Sequence, residues 1–221
     1  MATIDNTLVH DKDYIAVGKQ RENGAITVGP VTKSRADIPE TADAKVDEDR
    51  FFVGYVDASG VTRTENSDKV TKRDMRGVDY YVLRTGESVE LRLRLGAYAN
   101  GVTQALLYGL GVDVSQDGKT MTTAVGGNEA PRVSWDFRLT GNSNLAGMLW
   151  APDAQVSGHS DIVYGPDDTI SVEITLTLFA DDDGHYLYEA FTIQTEDGKF
   201  ELPDFTPVDI SAAADTADTA A

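Results

Sequence analysis

Three histidines, His10, His159 and His185, are the first residues to weigh as a general base or metal ligand, because imidazole titrates near neutrality. They lie far apart in sequence, and two of them sit beside small or polar turn-forming residues, so solvated surface positions account for them. No nucleophile motif joins them. The sequence contains no Gly-x-Ser-x-Gly, no Gly-x-x-x-x-Gly-Lys and no His-Glu-x-x-His, which removes the main support for hydrolase and nucleotide-binding chemistry. The run Asp181-Asp182-Asp183-Gly184 could offer oxygen ligands to a hard cation, yet it lacks the alternating ligands and closing Glu of a calcium loop. A hairpin turn explains it, and Asp167-Asp168 after Gly165-Pro166 reads the same way. Trp135, Trp150 and Tyr80-Tyr81 could form a platform for a sugar or a base. Trp135, however, falls on the apolar face of a strand pattern and belongs in a core. No catalytic residue, metal ligand or cofactor-binding residue is assigned.

The elements around these residues are mostly strands. Val89, Leu91, Leu93 and Leu95 alternate with Glu90, Arg92 and Arg94, and the same period of two returns at Val133, Trp135, Phe137 and Leu139 and at Val172, Ile174, Leu176 and Leu178. Shorter strands are expected at Phe51 to Val56, Val78 to Arg84, Thr120 to Val125, Leu145 to Ala151 and His185 to Ile193, separated by turns such as Asp57-Ala58-Ser59-Gly60 and Asp182-Asp183-Gly184. One helix is expected near Ala97 to Gly109, weakened by Gly101 by roughly 1 kcal/mol relative to Ala and ended by Gly109 and Gly111. The fold class is therefore mainly β: two packed antiparallel sheets, sandwich or barrel, with one flanking α-helix. Residues 1–50 read as an N-terminal arm and the start of the domain, 51–205 as the β domain, and 206–221 as a disordered acidic Ala/Asp/Thr tail with almost nothing to bury.

At 221 residues and 41% apolar composition, the chain can bury about 70% of the surface its unfolded form exposes. Its formal charge of −18 argues against clamping nucleic acid, which takes concentrated Lys and Arg. Residues 201–221 hold five acids and no base, so acidity extends well beyond the tail. Against that background Asp57 to Gly77 is locally basic: Arg63, Lys69, Lys72, Arg73 and Arg76 against four acids, in a polar stretch read as a long loop. The chain has no cysteine and hence no disulfide framework. Neither a leader nor a bilayer-spanning run is visible, so a soluble, unexported protein is expected.

An ordered series of stretches resembles the major tail (tail tube) proteins of siphophages, particularly those of actinobacterial hosts. It runs Val17-Gly18-Lys19, Gly24-Ala25-Ile26, Pro30-Val31-Thr32, then Phe52 and Gly54-Tyr55-Val56-Asp57-Ala58-Ser59-Gly60-Val61-Thr62. It continues with Leu149 to Val156, Asp161-Ile162-Val163-Tyr164, Val172 to Ala180 and Asp183-Gly184-His185-Tyr186. The resemblance covers about residues 14–192; the acidic tail and the longer stretch between Gly109 and Trp135 depart from it. It implies a structural virion protein of the phage tail, made in the bacterial cytoplasm, without enzymatic activity or cofactor. Six copies would close into a ring, and rings would stack into a hollow tube through which DNA passes unbound. The implied partners are further copies of the chain, the tape measure protein, the tail terminator and the baseplate or tail tip, with no membrane insertion. The long loop of the family reaches the next ring and corresponds here to Asp57 to Gly77, making Arg63, Lys69, Lys72, Arg73 and Arg76 the expected inter-ring contacts. A virion decoration or adhesin domain built on a β-sandwich is the alternative, and a carboxylate-based β-sandwich hydrolase a more distant one.

Overall fold

Strands dominate because so many segments carry the two-residue apolar period. A computed structural model describes residues 19–20, 26–42, 44–116, 118–127, 129–140, 145–165 and 169–193. In chain order the strands are β1 (Lys19–Gln20), β2 (Ile26–Gly29), β3 (Phe51–Phe52), β4 (Val56–Arg73), β5 (Asp79–Leu95), β6 (Val112–Val114), β7 (Met121–Thr123), β8 (Arg132–Thr140), β9 (Leu145–His159), β10 (Val172–Phe179) and β11 (Tyr188–Ile193). The helix α1 (Gly101–Tyr108) lies between β5 and β6. The expected tail 206–221, His10 and Asp167-Asp168 lie outside the described residues.

All described pairings are antiparallel. The main sheet runs β3-β2-β8-β9-β10-β5-β4, with β1 added on β8 and β11 on β9, and β6-β7 forms a small second sheet. The expected mainly β architecture with one helix is the one observed, with the main sheet curled into a half-barrel. Its bend is legible in β9. Leu145 to Trp150 pair with β11, Asp153 to His159 pair with β10, and the register against β8 slips between Val133 and Trp135, opposite Pro152. Proline cannot donate to the ladder, so a bulge is where a sheet tolerates it.

Curling brings Ile26 and Val28 of β2 and Trp135 and Phe137 of β8 together with Leu91, Leu93 and Leu95 of β5 and Val172, Ile174, Leu176 and Leu178 of β10 in one core. Trp135 stacks on Phe137 at 5.7 Å, as its place on an apolar strand face requires. Leu106, Leu107 and Tyr108 of α1 close that core. The helix is shorter than the expected 97–109 because Asn100 caps it: its side chain accepts from the Val102 amide at 2.9 Å. Gly101 is thus the first helical residue, where its flexibility costs little. Gly54 (φ +116) runs so close to this corner that a Cβ there would lie 2.6 Å from the Ala97 Cβ.

Residues 30–42 and 44–50 lie across the reverse face of β8 and β9. Ile38 and Ala42 pack on Ala146, Met148 and Trp150, and Asp136 and Arg138 sit among them as a fully buried ion pair at 2.7 Å. Arg138 also donates to the Ala42 carbonyl at 2.7 Å. Arg50 covers the Trp150 ring at 4.2 Å and donates to Thr27 and Ser134. From Ile26 onward, the described residues of this stretch pack on the sheet.

Candidate assembly surface

The stretch Asp57 to Gly77, expected as a loop, is instead the strand β4 and its turn. β4 and β5, of 18 and 17 residues, form one hairpin; Val78 to Arg84 and Glu87 to Leu95, expected as separate strands, are one strand. The reason is local composition: Val61, Thr62, Thr64, Val70 and Thr71 are β-branched, and β5 pairs with β4 at Val56 and from Val61 to Arg73.

β10 pairs with β5 only from Glu90 to Leu95, so the hairpin beyond Val89 has no third strand beside it among the described residues. Near the sheet its inward face is held down by side chains: Arg63 bonds Glu189 at 2.5 Å and Glu65 at 2.9 Å, and Tyr186 donates to the Glu87 carbonyl at 3.2 Å. At Ser67/Asp68 the register slips and Gly86 takes φ +73, a glycine bulge that increases local twist and re-aims the arm. The turn is built on Asp74. Its carboxylate accepts from the amides of Arg76 at 2.8 Å and Val78 at 2.9 Å, and these bonds, the Val78 amide foremost, hold its pKa below the ordinary carboxylate value.

The structure spreads the five expected contact residues along this arm. Arg63 is at its root and engaged within the chain. Lys69 and Lys72 lie on the outer half of β4 and are exposed. Arg73 is paired with Asp79 at 2.6 Å and Arg76 with Asp74 at 3.0 Å. Apolar side chains are exposed on the same arm: Val70, Val78, Tyr81 and Met75, Met75 completely. Their scatter among polar residues hid them, since no apolar period marks a strand exposed on both sides.

Elsewhere, polar side chains build structure. Asp181 accepts the Tyr188 hydroxyl at 2.5 Å and the amides of Asp183 and His185; burial raises its pKa, but these bonds outweigh burial and leave it lowered. Tyr188 is pushed up to about 12 by burial and by that carboxylate. Asp181 to Gly184 is thus a turn as expected but not a hairpin, since β10 before it and β11 after it do not pair with each other and both pair antiparallel with β9. His185 follows the Phe179 end of β10, whereas His159 pairs with Ile174 near the other end, about 17 Å away along the strand. No cluster of three or more potential metal ligands occurs among the described residues, and no helix among them is long and apolar enough to cross a membrane. Tyr98 bridges the hydroxyls of Tyr108 at 3.5 Å and Tyr164 at 3.2 Å, and Tyr108 is raised to about 12 by burial first and its Tyr98 neighbour second.

No family model and no curated protein matches the chain. Among solved structures it is similar to the tube-terminating cap of the anti-feeding prophage, with TM-score 0.40 and 11% identity over 80% of this chain and 95% of that one. It is also similar to a chain of the PVC sheath-tube complex of an extracellular contractile injection system in the extended state (TM-score 0.41, 12% identity, 80% and 92% covered). A chain of the sheath/tube terminator of that system gives TM-score 0.38 and 13% identity, with 79% and 99% covered.

Proposed function

We propose that this chain is a major tail tube subunit of a long-tailed phage, a structural protein whose activity is self-assembly: six copies per ring, and rings stacked into the conduit that DNA traverses. The observation that carries this reading is the β4–β5 hairpin. A two-stranded ribbon is marginal in water without a further strand or layer to cover it, and its outer half has none within the described residues, so a neighbouring copy is the natural cover. Among the described residues, the outer edge of β4 and the β3 end of the sheet are open as well. Pairing open edges between copies would remove the aggregation hazard that such edges present. The ordered series of family-like stretches across about residues 14–192 supports the same reading. In it, Lys69, Lys72, Arg73 and Arg76 face an acidic neighbouring ring, and complementary rim charges set register and assembly rate. The tape measure, terminator and tail tip proteins would be the other partners.

Negative-stain electron microscopy of the purified full chain over a range of concentration and salt tests this. Hollow tubes or six-membered rings are expected. A chain that stays monomeric throughout would favour the adhesin or decoration reading, for which the exposed aromatics Tyr55 and Tyr164 would be the binding surface.

A further inference from the structure

We propose that the tip of the β4–β5 hairpin in one copy docks on the aromatic corner at the base of the same hairpin in the next copy, around Phe52, Tyr55, Tyr98 and Tyr164. The proposal rests on the tube reading and names the surface that receives the arm.

The corner is the turn between β5 and α1. The Gly96 amide donates to the Tyr55 carbonyl at 2.9 Å, and Asn100 Nδ2 donates to the Phe52 carbonyl at 3.3 Å. These bonds hold two edge-to-face aromatic pairs at one end of the fold: Phe52 with Tyr55 at 6.1 Å and Tyr98 with Tyr164 at 6.3 Å. Tyr55 is 61% and Tyr164 70% exposed, beside the equally open Val163. Exposed aromatic residues grouped in this way mark an interaction surface, and aromatic side chains are the usual anchors of interfaces.

The tip carries the complementary set. Met75 projects from a turn made rigid by the Asp74 carboxylate, with Val78 and Tyr81 exposed behind it. A thioether against aromatic edges is a favourable contact, and a preformed turn reduces the ordering cost of docking. Charge agrees: the arm brings Lys69 and Lys72, while exposed Asp57 and Asp161 flank the corner.

Geometry excludes the chain's own tip, so on the tube reading the occupant is a second copy. β4 starts beside the corner at Val56 and runs 18 residues to the tip, about 60 Å at the rise of an extended strand. One chain's tip cannot reach its own corner. A tip-to-base contact is also heterologous, so it does not close a pair but builds a ring or an open stack.

The chain has no cysteine, so introduced thiols report position without background. The full-length Met75→Cys and Tyr55→Cys variants are mixed under assembly conditions and treated with diamide. The two thiolates are oxidised to one disulfide as diamide is reduced to its hydrazine. A cross-linked dimer is expected on a non-reducing gel, and a ladder from the double variant, with neither from Met75→Cys mixed with Asp182→Cys, in the exposed turn past the Phe179 end of β10, away from the corner. Tyr164→Cys serves as a second corner position should Tyr55→Cys fold poorly. Tubes or rings visible by microscopy without a tip-to-corner cross-link overturn this docking and leave the tube reading standing. Absence of both cross-link and assembly under every condition overturns the two together.

Discussion

Arg138→Met is expected to destabilise the chain by about 3–5 kcal/mol, the usual cost of leaving one member of a buried ion pair alone. Two bonds of 2.8 and 2.7 Å join Arg138 Nε to the Asp136 carboxylate, and both residues are almost completely buried. Methionine fills similar volume, so the loss is electrostatic rather than a cavity. Total stabilities of domains this size are about 5–15 kcal/mol, which makes the shift large in a urea titration followed by tryptophan fluorescence, with Trp150 reporting from the same cluster. Two internal checks tie the loss to the carboxylate. In Asp136→Asn/Arg138→Met the lone charge is gone, so the double variant should be more stable than Arg138→Met by about 1–3 kcal/mol; the Ala42 carbonyl still lacks its donor, which prevents full recovery. The second check is pH. Burial, the leading cause, raises the Asp136 pKa, and the attraction of Arg138 opposes it. A carboxyl whose folded pKa lies above its unfolded one stabilises the fold below the unfolded value and loses that contribution as pH rises through the folded value. Without Arg138 the raised state is less opposed, so the deficit of Arg138→Met should be smaller at pH 5 than at pH 7.5. A single variant within about 1 kcal/mol of the parent, which surface substitutions rarely exceed, or a double variant no better than the single, would refute this reasoning.

Four further outcomes are expected. Replacing Lys69, Lys72 and Arg73 together with Glu should slow tube growth or make it strongly salt-dependent, as read by light scattering; unchanged kinetics would remove the charge from the assembly step. Gly86→Val places a β-branched residue at φ +73 and should cost roughly 1–2 kcal/mol, lowering the melting temperature and misdirecting the arm, so that tubes are lost before the fold is. Asn100→Ala removes both the cap of α1 and the bonds to the Phe52 and Val53 carbonyls, and a loss of about 1–2 kcal/mol in thermal denaturation is expected. In an assembled tube, Asp and Glu should outnumber Lys and Arg on the bore, since an acidic wall repels phosphate over about 8 Å at physiological salt; a bore lined mainly by Arg and Lys would contradict this.

What the sequence revealed, and what it hid, follows from which faces are buried. Leu91, Leu93 and Leu95, Trp135 and Phe137, and Ile174 to Leu178 alternate with polar residues because one face meets the core, and period-two reading finds such strands directly. Ser134, Asp136 and Arg138 look like the wet face of β8 for the same reason. Residues 30–42 and 44–50 cover them, and no local pattern announces a cover made by a distant segment. β4 was obscured in the opposite way. Its outer half meets no core, so nothing selects alternation there, and a polar strand with Lys69, Lys72 and Arg73 looks like a loop. Those same charges are what an isolated β edge needs to avoid indiscriminate pairing. On the proposed assembly the arm would meet two requirements at once: enough charge to stay unpaired while alone, and enough apolar surface, in Met75, Val78 and Tyr81, to dock when a neighbour arrives. A segment that mixes the two shows neither a strand's period nor a disordered linker's composition, which is why β4 became legible as a strand only once β5 was seen lying against it.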